Sequence, residues 1–155
     1  MGFSEKMRES LGAEGARVQV QAPEDTVTRG ETTTASVTIT GGTREATIDA
    51  LIVRVVEADR HWTRDDDGAR VSEDDAQAMG DRKGLTAGWD RQPVVEHRVE
   101  LGQAIEPGSE QAITVDVAVP EHCKSTSPCC SHTLNVQADI KGQIDPAGNV
   151  RITVG

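Results

Sequence analysis

The stretch AITVDVAVP, residues 112 to 120, places an apolar side chain at every second position. Successive side chains of a β-strand point to opposite faces of the sheet, so a period of two predicts a strand with one buried face. A strand of this kind needs another element against which its apolar face can pack. The side chains predicted to face inward are Ile113, Val115, Val117 and Val119.

The same period of two recurs along the chain. The most apolar stretch, IDALIVRVVEA (48–58), fits either a buried strand or a helix by periodicity, and its β-branched residues favour a strand. About seven half-apolar strands must bury their faces against one another, which predicts an all-β fold, an antiparallel β-sandwich of two packed sheets. The other strands are predicted in ARVQVQAP (16–23), TTTASVTIT (32–40), PVVEHRVEL (93–101), SHTLNVQADI (131–140) and VRITV (150–154).

The length of 155 residues predicts one domain, over residues 1–155. Phe3, Met7 and Leu11 share one helical face and predict a short N-terminal helix, and Pro107-Gly108 predicts a turn. Between residues 59 and 92 the period stops, and the segment is acidic and rich in glycine. We expect this acidic excursion to be a solvated loop outside the sandwich, with at most a helical turn at 74–79.

The composition is acidic, with a formal net charge of -10 and four lysines against twelve arginines. Such a surface repels phosphate groups, which disfavours nucleic-acid and membrane-surface partners. It is typical of proteins from salt-loving (halophilic) organisms and is equally compatible with an ordinary acidic bacterial protein. No run approaches the roughly 18 apolar residues of a membrane span, and no apolar secretory signal begins the chain, so we expect a cytoplasmic protein.

Several stretches together resemble the sporulation-control protein family of bacteria and archaea. They are the MGF start, TRGETTTASVTITGG (28–42), IDALIVRVVEA (48–58), IEPGSEQAI (105–113) and SHTLNVQADIKGQIDPAGN (131–149). The resemblance covers residues 1–57 and 93–153, and the acidic excursion and a cysteine-rich stretch at 121–131 depart from it. It implies an arrestin-like, immunoglobulin-like fold and a regulatory, non-enzymatic adaptor that binds proteins, with no catalytic residues carried over.

Other side chains that could carry chemistry fit structural roles better. The DDDG run at Asp65–Gly68 matches a calcium loop poorly and reads as a solvated turn. Trp62 is expected to cover an edge of the sandwich, and His97 to be a hydrogen-bonded core residue on the face of Val95 and Val99. No GxSxG elbow or phosphate-binding glycine loop occurs, so no catalytic, cofactor-binding or metal-binding residue is assigned, and no cofactor is expected.

The stretch EHCKSTSPCCSH (121–132) holds all three cysteines and two of the four histidines. Three interpretations stay open: free thiols at strand ends, a disulfide from Cys123 to Cys129 or Cys130, or a metal site completed by His122 or His132. The irregular spacing, with five residues between Cys123 and Cys129, argues against a standard zinc motif.

Two hypotheses about function follow from these observations. The first is an adaptor that acts through protein–protein contacts, with partners or a second copy docking at an edge strand. The alternative is a metal-binding or redox-responsive module that uses the cysteine and histidine side chains at 122–132.

Overall fold

The computed structural model describes residues 15–23 and 26–155, and the predicted helix around Phe3, Met7 and Leu11 lies outside these residues. The described part contains eight strands and one helix. In chain order they are β1 (Arg17–Gln21), β2 (Thr32–Thr40), β3 (Ala46–Arg64), β4 (Arg70–Ser72), α1 (Glu73–Met79), β5 (Leu85–Ile105), β6 (Glu110–Ala118), β7 (Cys130–Ile140) and β8 (Ala147–Ile152).

The strands form two antiparallel sheets, which confirms the predicted sandwich. The smaller sheet has the order β1-β2-β6. In the larger sheet β3 pairs with β5 along one edge and with β7 along the other, and β8 lies outside β7. The short strand β4 pairs with β3 beyond the end of β7, through Trp62 and its neighbours.

The core between the sheets consists of aliphatic side chains, as the scarcity of aromatic residues requires. Every second residue of β7 from Leu134 to Ile140 is buried, and the same alternation runs along the inner halves of β2 and β6. IDALIVRVVEA forms the middle of β3, so the prediction of a strand there is confirmed. The largest fully buried aliphatic side chains are Ile39, Ile48, Leu51, Ile105 and Leu134.

The turn between β5 and β6 follows the chemistry of its central pair. Gly108 has a φ of +70°, which glycine adopts without steric cost, and Pro107 precedes it. The Ser109 amide donates to the Glu106 carbonyl at 3.1 Å and closes the turn. The prediction of a turn at Pro107-Gly108 is confirmed.

The prediction that residues 59–92 form a loop without regular structure is wrong. Strand β3 continues to Arg64 and pairs with β5 from Leu85 onward, so the two strands extend out of the sandwich as an antiparallel hairpin. Backbone pairing needs no apolar period, and this hairpin is polar on both faces, which is why side-chain alternation does not reveal it. The single domain over residues 1–155 stays a prediction.

The hairpin carries β4 and α1 at its tip. The hydroxyl of Ser72 accepts a hydrogen bond from the Asp75 amide and caps the N-terminus of α1, whose first turn is acidic, and Gly80 ends the helix at a φ of +71°. Val71 of β4 and Ala76 of α1 are buried, and both elements pack against β3. The helical turn expected at 74–79 is therefore present as α1.

Candidate functional site

On the inward face of β3, the core residues are followed by two carboxylates, those of Glu57 and Asp59. Leu51, Val53 and Val55 are fully buried, and the same period places Glu57 and Asp59 next along this face. Glu57 is only 4% exposed, so an ionisable side chain occupies a strand position whose alternation points it toward the core.

Strand β7 supplies the facing positions, because its register places His132 opposite Glu57 and Cys130 opposite Asp59. Directly opposed residues lie on the same face of a sheet and interact. Cys123 belongs to the loop between β6 and β7 and, like His132 and Cys130, is buried. We call these five residues, Glu57, Asp59, Cys123, Cys130 and His132, the β3–β7 cluster.

Three groups converge on one carboxylate oxygen of Glu57. The Cys123 thiol donates to Oε2 at 2.9 Å, and Nε2 of His132 lies 3.1 Å from the same atom. The backbone amide of Lys124 also donates to it, at 3.4 Å. Sγ of Cys123 and Nε2 of His132 are 3.7 Å apart, so the three side chains contact one another.

The other ring nitrogen of His132 is held by Thr126. Nδ1 lies 2.8 Å from the Thr126 hydroxyl, which accepts a hydrogen bond from the Val154 amide at 2.8 Å. The hydroxyl proton is then available to Nδ1, which places the ring proton on Nε2, facing Glu57. This arrangement fixes the orientation of a fully buried imidazole.

Burial and hydrogen bonding act in opposite directions on the carboxylate and in the same direction on the thiols. Burial raises the pKa of Glu57, but hydrogen bonds from Cys123, His132 and the Lys124 amide outweigh it, and the pKa is lowered. Burial, with the neighbouring carboxylate, raises the pKa of Cys123 to about 12. Burial and a hydrogen bond to Asp59 raise the pKa of Cys130 to about 12. A thiol with such a pKa is protonated at neutral pH and is a weak nucleophile.

The structure brings together some of the residues predicted for a site and separates others. Cys123, Cys130 and His132 meet in the cluster. Cys129 lies outside it, with its sulfur 3.4 Å from the Ser127 hydroxyl, and His122 is exposed. All three cysteines are free thiols, which contradicts the disulfide interpretation.

The sequence interpretation missed Glu57 and Asp59, although one signal in the sequence marks Glu57. Counting in steps of two from Val53 and Val55 makes Glu57 an inward position, and a charged residue in that phase indicates a buried charge. The same count from Leu134 reaches His132. That the two positions face each other depends on the pairing of β3 with β7.

A second group of charged side chains lies on the hairpin. The guanidinium of Arg60 donates to both carboxylate oxygens of Glu73, one at 2.9 Å, and the Trp62 indole N–H donates at 2.6 Å. The guanidinium carbons of Arg60 and Arg82 each lie 5.3 Å from the centre of the Trp62 ring, so the indole packs against two cations. We call Arg60, Trp62, Glu73 and Arg82 the hairpin cluster.

The two clusters differ in how their acid is stabilised. Hydrogen bonding to Arg60 lowers the pKa of Glu73 to about 2, with smaller contributions from Trp62 and Gln77.

A cavity of about 470 Å³ lies between the clusters and is lined by Asp59 and Cys130 from the β3–β7 cluster and by Arg60 and Glu73 from the hairpin cluster. The β3–β7 cluster therefore borders solvent on its Asp59 side.

The carboxylates of the DDDG run have partners within their own turn. The Asp66 carboxylate accepts from the Asp67 amide at 2.7 Å, and that of Asp67 accepts from the Ala69 amide at 2.8 Å, so the DDDG run binds its own turn. His97 is half-buried on the face predicted for it, and His61 lies 3.3 Å from Asp90.

Comparison with known proteins gives the following matches. The family described as SpoOM protein matches residues 4–155. The crystal structure of Spo0M, a sporulation control protein from Bacillus subtilis, superimposes with a TM-score of 0.68 at 20% sequence identity. The match covers 90% of this chain and 49% of that chain, so this chain spans about half the length of that protein. No curated protein matches. Among the described residues, no helix is long and apolar enough to cross a membrane.

Proposed function

This chain belongs to the SpoOM family of sporulation-control proteins, and we propose that it is a non-enzymatic regulatory adaptor that acts through protein–protein contacts. The family match runs over residues 4–155, and the fold is the arrestin-like sandwich that the resemblance implied. We also propose a cytoplasmic location, because three free thiols suit a reducing compartment.

The observation that carries the proposal is the long edge strand β5. Within residues 15–23 and 26–155, β5 pairs with β3 alone, over Leu85–Ile105, and its other edge has no strand beside it. A strand edge without a neighbour presents amide and carbonyl groups that a partner strand can pair with.

The edge of β5 has two parts. The register shifts at Val94, where the bulge directly follows Pro93, and a proline and a bulge both interrupt strand pairing. Beyond the bulge, Glu96, Arg98 and Glu100 alternate along the exposed face. Alternating charges oppose self-association and favour a partner strand with a complementary pattern, so we place the docking edge at residues 95–101.

Hydrogen exchange on a captured complex tests this proposal. Partners recovered from native extract at several salt concentrations are returned to the purified chain, and amide exchange is compared with and without them. We expect new protection at residues 95–101. Protection confined to loops, or recovery of the bait alone at every salt concentration, contradicts the proposal. Light scattering on the free chain shows whether the partner is a second copy.

A pair of neighbouring variants provides the matched control, because alternate amides of an edge strand point toward β3 and away from it. We compare Glu96→Pro with His97→Pro. One removes an amide bonded to β3 and lowers the melting temperature, and the other removes an outward amide. The variant that keeps its melting temperature is expected to lose partner binding, and full binding by that variant contradicts docking by strand addition.

A further inference from the structure

Three side chains of different ligand type meet at one buried point of the β3–β7 cluster. The carboxylate of Glu57, the thiol of Cys123 and the imidazole of His132 each offer an atom within 4.8 Å of the other two. Glu57 also belongs to a second such group with Asp59 and Cys130. We propose that Glu57, Cys123 and His132 form a zinc site, which goes beyond the adaptor function.

The mixture of donors selects the class of metal. Thiolate, imidazole and carboxylate together are ligands of Zn²⁺, whereas Mg²⁺ and Ca²⁺ require oxygen ligands. Ligands around a tetrahedral zinc ion lie roughly 3.3–3.6 Å apart, given bonds of about 2.0–2.3 Å. The three pairs here are separated by 2.9, 3.1 and 3.7 Å, so the thiol–carboxylate pair has to open by about half an ångström and the other two pairs shift less.

The charge balance of the cluster also favours a cation. Glu57 is buried, and its nearest side chains are a thiol and an imidazole, neither of which carries a permanent positive charge. Asp59 adds a second carboxylate, whose ion pair is with the exposed Lys124 at 3.3 Å. Two carboxylates this close together stabilise a divalent cation, and the cation in turn stabilises the thiolate of Cys123.

The surroundings supply the support and the access that a metal site needs. The hydroxyl oxygen of Thr126 lies 2.8 Å from Nδ1 of His132 and can accept a hydrogen bond from the N–H at Nδ1 when Nε2 binds the metal. Asp59 and Cys130, which form the second group around Glu57, line the cavity of about 470 Å³ and bring solvent to that side of the cluster. Three protein ligands leave a fourth position for water.

Zinc content and cobalt substitution of the full chain test the site. The chain is purified without an affinity tag, stripped with a chelator under reducing conditions and reloaded with Zn²⁺ or Co²⁺. We expect about one zinc ion per chain and a thiolate-to-cobalt charge-transfer band. Cys123→Ser should remove the band and weaken zinc binding by about 10-fold or more in competition with a chromophoric chelator.

The matched control is Cys129→Ser, because this half-buried thiol lies outside the cluster. It is expected to keep both the band and the affinity. Should Cys123→Ser fail to fold, Glu57→Gln retains the shape of the side chain and is expected to show the same fall in zinc affinity.

Two outcomes overturn the zinc site. One is a wild-type chain that binds no zinc and gives no cobalt band, which identifies the cluster as a hydrogen-bonded network. The other is equal loss of binding in Cys129→Ser and Cys123→Ser. Partner capture is repeated with the metal-stripped protein. Strand docking at β5 does not use the cluster, so partner binding without zinc separates this proposal from the adaptor function.

Discussion

Two largely buried carboxylates, those of Glu57 and Glu73, lie on opposite faces of β3 and are stabilised in different ways. The side chain of Glu57 is 5% exposed and that of Glu73 is 11% exposed. Glu73 meets the guanidinium of Arg60 and the indole N–H of Trp62, so its charge is balanced within the chain. Glu57 meets a thiol and an imidazole instead.

The difference arises from the pleat of β3. Residues 57 and 59 continue the inward phase of the core, and Arg60 and Trp62 occupy the other phase on the hairpin. An inward carboxylate can reach only the groups that β7 and the loop before it provide, whereas an outward carboxylate finds long, flexible cationic side chains. Burial alone therefore does not determine how a carboxylate is stabilised, because its partners do.

The largest expected effect comes from removing the partner of the inward carboxylate. In His132→Ala, Glu57 stays buried and loses its imidazole, and we expect the free energy of unfolding at neutral pH to fall by about 3–5 kcal/mol. Urea denaturation measures this. Adding Glu57→Gln to His132→Ala should recover a large part of the loss, because the uncompensated charge is gone.

His97→Ala is the control for this experiment, since His97 is a half-buried histidine on β5. Its loss should be clearly smaller than that of His132→Ala. Equal losses in the two variants, or no recovery in the double variant, would show that Glu57 does not depend on His132.

A smaller effect is expected from the outward carboxylate, and it depends on pH. The folded pKa of Glu73 is about 2, below its ordinary value of 4.5. A depressed carboxyl pKa stabilises the fold above the unfolded value, and this contribution is lost as the pH falls from about 4.5 toward about 2. Melting temperatures of Glu73→Gln should therefore be lower than wild type at pH 7 and should converge with it in acid.

The exposed carboxylate of Glu31 offers a comparison, and Glu31→Gln should follow the wild-type pH curve closely. Parallel curves for wild type and Glu73→Gln across this range would contradict the assignment of Glu73 to a charge-balanced pair. Trp62 fluorescence provides a local readout, because its indole donates to Glu73.

The smallest effect concerns salt and the acidic tip of the hairpin. Carboxylates crowded on one surface repel each other, and 1 M salt shortens the screening distance to about 3 Å. We expect the stability to rise from low salt to 1 M by more than the few tenths of a kcal/mol of one exposed ion pair. A melting temperature that is flat with salt would contradict this and the halophilic interpretation.

Deleting residues 66–82 locates the salt effect. The deletion removes six carboxylates and two arginines, and it leaves the pair Arg64 and Leu85 to close a shorter hairpin. We expect the sandwich to stay folded, because the inward cluster at Glu57 is untouched. We expect the salt dependence to weaken, because six of the mutually repelling carboxylates are gone. An unchanged salt response would place the repulsion elsewhere on the surface.

The fold was predictable because its strands carry a period of two, which is a local property. The alternation at 112–120 and 131–140 and the Pro107-Gly108 turn follow from neighbouring residues, and the structure places them as expected. The hairpin at 59–92 was not predictable in this way, since backbone pairing and the contacts of Arg60 with Glu73 hold a polar ribbon together.

The sequence by itself determined which residues face inward, including the anomalous phase of Glu57 and His132, and which thiols lie near a strand end. Only the tertiary structure decided that β3 and β7 are neighbours in the register that opposes Glu57 to His132 and Asp59 to Cys130. It also decided that Cys123, and not Cys129, reaches that point. Phase is set by adjacent residues, whereas register is set by burial summed over two whole strands, whose facing residues Glu57 and His132 are 75 positions apart in the chain.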